Sequence, residues 1–378
     1  MLSAVPFRAH IEAVDVAVGP GAAEYMHTLR GGGAAPGADG PPVVYIPGYG
    51  AGSGFMFRTL SALTAGLRLL AVDLLGTGLS GRPPCRARST AEAEDFFVDS
   101  LAAWRAAQGG AADKMLLVGH SLGGYLSAVY ALRHPRRVLV PRLLVQRAQR
   151  DACRRVGWRR RSALTPPRFS SCLPHPSHVA HLVLVCPAGV GRRPADWQPP
   201  EALRSPWSVR GQLFRAAQRV WDWGVTPGSI VRFMGPYGKS MVDGYTRRRF
   251  KQGQALSEAE ERAFGDYMYH VLAARGSGEF ALRHLLEPFA FPRDALEGRR
   301  QELRVPVTFI YGWVGARAGA ACGGVLGRAG WGGGELRSCC GRRGRCGPLQ
   351  WLPNTRRLRA ARPRRPPPHL CVVFLVLT

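Results

Sequence analysis

The 378 residues are 46% hydrophobic and carry 52 Lys and Arg against 25 Asp and Glu, a formal charge of +27. Such a length and apolar content bury a sizeable core and exclude a small disulfide-framed module. The charge excludes less than it suggests: residues 136–176 hold eleven Arg and one Asp, residues 314–378 hold twelve Arg and one Glu, and the remainder is only mildly basic, which argues against a nucleic-acid-binding domain.

The chain opens on Met1-Leu2-Ser3-Ala4-Val5-Pro6, without the charged and apolar halves of a secretory leader. Alternating residues over 11–18 and 23–29, parted by Gly19-Pro20-Gly21, predict an antiparallel edge hairpin. After a Gly/Ala/Pro linker, Val43-Val44-Tyr45-Ile46 and 68–73 read as short buried strands with a helix over 57–65 between them. A helix over 92–107, with Phe96, Phe97, Leu101 and Trp104 on one side, leads to the apolar run Met115-Leu116-Leu117-Val118. This is a parallel βαβ succession.

The run ends in Gly119-His120-Ser121-Leu122-Gly123 and continues into a helical segment that stops at His134-Pro135. A G-x-S-x-G turn between strand and helix holds its serine on a strained elbow, so Ser121 is the candidate nucleophile, with Gly119, His120 and Gly123 forming the elbow. The next strand is 181–186, although αβ connections usually take about 2–6 residues. The 41 residues between, 136–176, show no period and read as an Arg-rich disordered insertion. Residues 194–300 interleave Trp, Phe and Tyr with Arg and predict a helical cap, with helices over 208–223, 227–234, 241–252, 257–274 and 278–289. Val305–Gly312 returns to the sheet, and from residue 314 the Gly/Arg/Pro/Cys-rich sequence predicts an unpacked tail. The domain reading is therefore 10–135 core, 136–176 insertion, 177–193 core strand, 194–300 cap, 301–313 core strand and 314–378 tail. Leu370 to Leu377 is too short to span a bilayer.

Acyl transfer at a serine needs the nucleophile, a base, a group orienting that base, and two donors for the oxyanion. Pro47-Gly48-Tyr49-Gly50 follows the 43–46 strand, where one oxyanion N–H is expected, and the second comes from the residue after the nucleophile. Tyr49 and Leu122 are the two donors. Arg247-Arg248-Arg249 reads as a solvated face, with phosphate-headgroup binding as the sharper alternative. Seven of the nine cysteines fall in the two Arg-rich stretches without metal-site spacing, so neither a metal nor a cofactor is expected.

The segments Tyr45–Gly50, Asp73–Ser80, Glu94–Ser100, the elbow, Met234–Gly238, Asp266–His270 and Phe309–Gly312 stand in one order. In that order the chain resembles the α/β-hydrolase-fold lipid enzymes of the N-acyl-phospholipid lipase and lysophosphatidic acid acyltransferase branch. That branch includes a co-activator of a triglyceride lipase. The resemblance covers roughly residues 10–135 and 177–313. It implies a mostly parallel sheet with a helical cap, a phospholipid or acylglycerol substrate, and hydrolysis or, with acyl-CoA as donor, transfer to lysophosphatidic acid. It also implies a cytoplasmic protein peripheral on lipid surfaces such as droplets or endoplasmic reticulum, or a scaffold without chemistry.

Three positions depart from the branch's pattern. Pro47 stands where its members have His, and Gly315 falls where the triad acid is expected. A later His-x4-Asp element, which would supply the base, has no counterpart after residue 313, where His369 is the one histidine and Glu335 the one acid. The sheet is therefore expected to stop before its last strand–helix pair, with an unpaired edge, and the chain to lack its acid and base.

Overall fold

The computed structural model describes residues 11–32, 40–109, 112, 114–134, 178–205, 207–251, 256–313 and 371–377. Strands β1 (Ile11–Ala17) and β2 (Tyr25–Gly31) form the edge hairpin, and β2 pairs antiparallel with β4 (Leu69–Val72). Strands β3 (Val43–Ile46), β5 (Met115–His120), β6 (Val179–Val185) and β7 (Val307–Trp313) run parallel beside β4, in the order β1-β2-β4-β3-β5-β6-β7-β8. The chain steps from β3 to β4 in one direction and from β5 to β7 in the other. The C-terminal ends of β3 and β5 thus flank the topological switch point, the place where open α/β sheets bind ligands.

The last strand, β8 (Cys371–Leu377), corrects the sequence reading. That reading left all of 314–378 unpacked, whereas 371–377 runs antiparallel along β7, Val307 opposite Leu377 and Trp313 opposite Cys371. An open edge presents unpaired N–H and C=O groups, and a Val/Phe/Leu run has the β-propensity to satisfy them. The expectations of disorder for 136–176 and for the rest of the tail lie outside the described residues.

Helices α1 (Phe57–Thr64), α2 (Thr90–Ala107) and α3 (Leu122–Arg133) cover the sheet. Ser89 caps α2 by accepting the Glu92 N–H at 3.2 Å. Between α2 and α3 lies a buried ionic group: Glu94 accepts from the Tyr125 hydroxyl at 2.7 Å, from Arg299 at 2.8 Å and from Arg133 at 3.1 Å. The core gathers Trp104, Phe97, Tyr125, Tyr130, Met115 and Leu117, all essentially without exposure. Trp104 Nε1 still donates to Thr28 Oγ1 at 2.9 Å, so its burial leaves no polar group stranded.

Between β6 and β7 the chain builds the cap from α4 (Val209–Asp222), α5 (Pro227–Phe233), α6 (Pro236–Lys251) and α7 (Glu258–Ala273). Each of α4, α5 and α7 begins at a side chain that satisfies its first turn: Ser208, Thr226 and Ser257, the last in a reciprocal box with Glu260. Two boundaries differ from expectation. Helix α6 starts five residues earlier than predicted, because Pro236 is preset for a first helical position once Gly235 at φ 53° ends the turn before it. The helix predicted over 278–289 breaks into a 3-10 turn (Gly278–Ala281), one α-turn (Leu282–Leu285) and a second 3-10 turn (Pro288–Ala290), Pro288 being unable to continue the ladder.

Candidate active site

Strands β3 and β5 are neighbours, with Ile46 opposite Gly119, so the loops leaving them meet above the sheet. Ser121 lies between β5 and α3 at φ 52°, ψ −119°, a backbone state that costs a non-glycine residue about 1–3 kcal/mol. Hydrogen bonds over-determine it. Its N–H donates to the Val185 carbonyl at 3.0 Å, and its carbonyl accepts from Gly124 and Ala188, each at 3.0 Å.

The glycines of the motif are steric requirements. A Cβ at Gly119 would lie 2.4 Å from the Gly123 carbonyl oxygen, and one at Gly123 would lie 2.3 Å from the Pro47 carbonyl oxygen. A Cβ at Gly124, outside the pentapeptide, would come within 2.9 Å of Pro187. No side chain fits in any of these places without moving backbone or ring.

Leu122 opens α3, so its N–H has no acceptor within the helix and sits at the positive end of the macrodipole. Tyr49 follows β3 in a loop whose turn Gly50 permits at φ 68°. Tyr49, Ser121 and Leu122 line one open, mainly apolar cavity of about 500 Å3 together with Phe214, Trp221 and Leu286 among others. The structure therefore brings together the three residues singled out from sequence. Burial pushes the Tyr49 phenol up to about 12, with the nearby Glu279 carboxylate adding to the shift, so it stays neutral at ordinary pH.

Asp73 braces the loop from below. Fully buried at the end of β4, it accepts from the Ser53 N–H and, at 2.8 Å, from the Leu79 N–H, while Ser80 Oγ donates to its carbonyl at 2.6 Å. Desolvation raises its pKa against those hydrogen bonds. From the cap, the Tyr267 hydroxyl accepts the Gly54 N–H at 3.2 Å. Buried Glu279 pairs with Arg232 and accepts from Thr226 at 2.9 Å, locking α5 to the turn at 278. Sequence reading assigned no part to Tyr267, Glu279 or Arg232, since their partners are distant in the chain.

The described histidines have other company. His27 Nδ1 lies 2.7 Å from Asp15, His181 Nε2 lies 2.8 Å from Thr308 Oγ1, and His284 accepts from Arg283 at 3.1 Å. His134 packs on Tyr130 and His178, and His270 on Tyr269. His120 adjoins the nucleophile, but its ring stacks on Phe55 at 6.3 Å and its buried Nδ1 has no hydrogen-bond partner among the described residues. Burial lowers its pKa and keeps it neutral. Among the described residues, then, no imidazole is hydrogen-bonded to Ser121. Gly315 and His369 lie outside them, as do His10 and Glu335.

Residues 41–139 match the family profile described as the alpha/beta hydrolase fold. A probable 1-acylglycerol-3-phosphate O-acyltransferase of Oryza sativa subsp. japonica is 36% identical over 278 residues, 72% of this chain and 55% of that protein. A (lyso)-N-acylphosphatidylethanolamine lipase of Mus musculus is 31% identical over 290 residues, covering 74% of this chain and 68% of that protein. The 1-acylglycerol-3-phosphate O-acyltransferase ABHD5 of Homo sapiens is 30% identical over 276 residues, covering 72% and 63%. The chain thus spans little more than half the length of the plant protein it matches.

Proposed function

This chain belongs to the α/β-hydrolase family, and we propose that within it the chain carries a lipid-ester site built on Ser121. The observation that carries the reading is the meeting of Ser121, Tyr49 and Leu122 at one apolar cavity above the switch point. The Ser121 hydroxyl attacks the acyl carbonyl, a C–O bond forms, and the carbonyl oxygen takes up negative charge. The backbone N–H groups of Tyr49 and Leu122 are the donors for that oxyanion. The apolar walls take the acyl chain. Phospholipid or acylglycerol esters are the substrate class, in keeping with the relatives' names, and acyl-CoA would serve if the acyl group is transferred rather than hydrolysed.

The serine proton has to go to a base, and an unassisted hydroxyl is almost wholly protonated at neutral pH. After residue 313 the sequence holds one histidine and no His-x4-Asp element. We therefore infer that these 378 residues alone turn over esters at close to background. A second reading, a lipid-surface scaffold, draws on the cap's exterior: Trp207 and Phe233 are about nine-tenths exposed, and Trp223 and Tyr237 about three-quarters. Between 207 and 251 stand nine Lys and Arg against two Asp, a charge that suits an anionic lipid surface. Turnover of p-nitrophenyl butyrate by the purified chain tests the expected lack of activity. Little hydrolysis, unchanged by Ser121→Ala, is expected, and Ser121-dependent turnover of about 1 per second or more would overturn the inference of inactivity.

A further inference from the structure

A second cavity also borders Tyr49. It encloses about 470 Å3 and shares two described lining residues, Tyr49 and Pro227, with the Ser121 cavity. That volume falls within the range of about 300–1,000 Å3 usual for ligand sites. Val231, Val242 and Leu272 line its interior, whereas Ile230, Met241 and Tyr245 stand at its mouth, each at least 40% exposed. Arg248, exposed on α6, is the charged residue among its described lining. Arg247 reaches Glu261 at 3.9 Å and Lys239 holds Asp243 at 2.7 Å, whereas neither Arg248 nor its neighbour Arg249 pairs with a carboxylate among the described residues, and of these two it is Arg248 that lines the cavity.

An apolar chamber with a single unpaired cation at its lip orients a ligand. Burying a hydrocarbon chain contributes about 25 cal/mol per Å2 of apolar surface, while a polar body would lose hydration inside without finding partners. An anionic group left at the mouth keeps water on one side and gains charge-assisted hydrogen bonds from the guanidinium on the other. We propose that this cavity is a binding site for a single-chain anionic amphiphile, tail between α5, α6 and α7 against Tyr49 and head at Arg248. It is distinct from the ester site and does not depend on chemistry at Ser121, because its test reads binding rather than turnover.

Equilibrium binding of laurate, dodecyl phosphate and dodecanol to the full chain tests it, in an Ala217→Trp background that obstructs the Ser121 cavity alone. Laurate or dodecyl phosphate should bind saturably, and the tighter of the two identifies a carboxylate or a phosphate head. Leu272→Trp, which fills the interior, and Met241→Trp, which plugs the exposed mouth without disturbing packed helices, should each weaken binding about tenfold or more. Arg248→Gln should weaken both anions about fivefold and leave dodecanol unchanged. Absence of saturable binding, binding that survives both tryptophans, or an Arg248→Gln effect equal for dodecanol would overturn the proposal.

Discussion

A Cβ at position 48 would stand 2.9 Å from the Cβ of Ser121, so the loop after β3 and the elbow after β5 touch with room for nothing larger than Gly48 between them. Real Cβ atoms do not approach so closely, and both partners belong to segments held by the sheet. The position of the proposed oxyanion loop relative to the nucleophile is thus set by contact rather than by a flexible hinge. This closeness makes the site sensitive to single methyl groups.

Gly123→Ala should therefore destabilise the protein by about 1–3 kcal/mol, since its Cβ would meet the Pro47 and Ile46 carbonyl oxygens at 2.3 and 2.4 Å, backbone that cannot swing aside. Gly244→Ala is the control: it lies mid-helix in α6 with nothing within 4 Å of its Cβ, and should stabilise by up to about 1 kcal/mol. Urea unfolding of both variants checks the contrast. Equal effects would show that the elbow tolerates a side chain.

Glu94→Ala should cost about 1–3 kcal/mol at pH 7, because it takes a buried carboxylate from Arg299, Arg133 and the Tyr125 hydroxyl, although Arg133 keeps Asp95 and Arg299 keeps Asp294. Burial alone would raise the Glu94 pKa. Hydrogen bonds from Arg299 and Tyr125, with the charges of Arg299 and Arg133, outweigh burial and hold it below the usual carboxylate range. A depressed folded-state pKa gives stability that is present above the unfolded value and lost as pH falls through the folded one. The gap between wild type and variant should accordingly be full at pH 7 and narrow below about pH 4.5. Thermal unfolding at pH 7 and pH 3.5 reads it, and a gap independent of pH would contradict the ionic account.

Much of this architecture was legible in the residues. The elbow's glycines announce a turn that only small residues can make, and alternation and buried runs placed β1 to β7 within a few residues. Helix α7 was marked by Ser257 and the acids behind it. What escaped was set by distance along the chain. Nothing local in Cys371–Leu377 says that it pairs with β7, nor in Glu279 that Arg232 is its partner. The 3-10 turn that opens at Pro288 escaped as well, because an apolar spacing suits either a helix or two short turns.

Binding of the full chain to anionic vesicles should depend on the cap's exterior. Phe233→Ser combined with Trp207→Ser removes two large apolar side chains that pack little against the protein, and should lower vesicle affinity about tenfold while leaving the unfolding midpoint within error. Raising salt should weaken the association, since the accompanying charge is exposed and screened. Co-sedimentation with vesicles of increasing anionic lipid content measures both. Affinity indifferent to the two aromatics would remove the cap as the docking face.

Ser121, Tyr49 and Leu122 are proposed to form a competent lipid-ester site that lacks base activation. The most direct measurement is phospholipid and acylglycerol hydrolysis, with transfer to lysophosphatidic acid, by a form whose residues after 313 are replaced by a segment bearing an acid near position 315 and a later His-x4-Asp element. Positioned acid–base help contributes about a hundredfold to ten-thousandfold. Turnover should rise by that order and be abolished by Ser121→Ala with folding and vesicle binding intact. A supplemented protein that binds lipid yet neither hydrolyses nor transfers, with or without Ser121, would contradict it and leave the scaffold reading in its place.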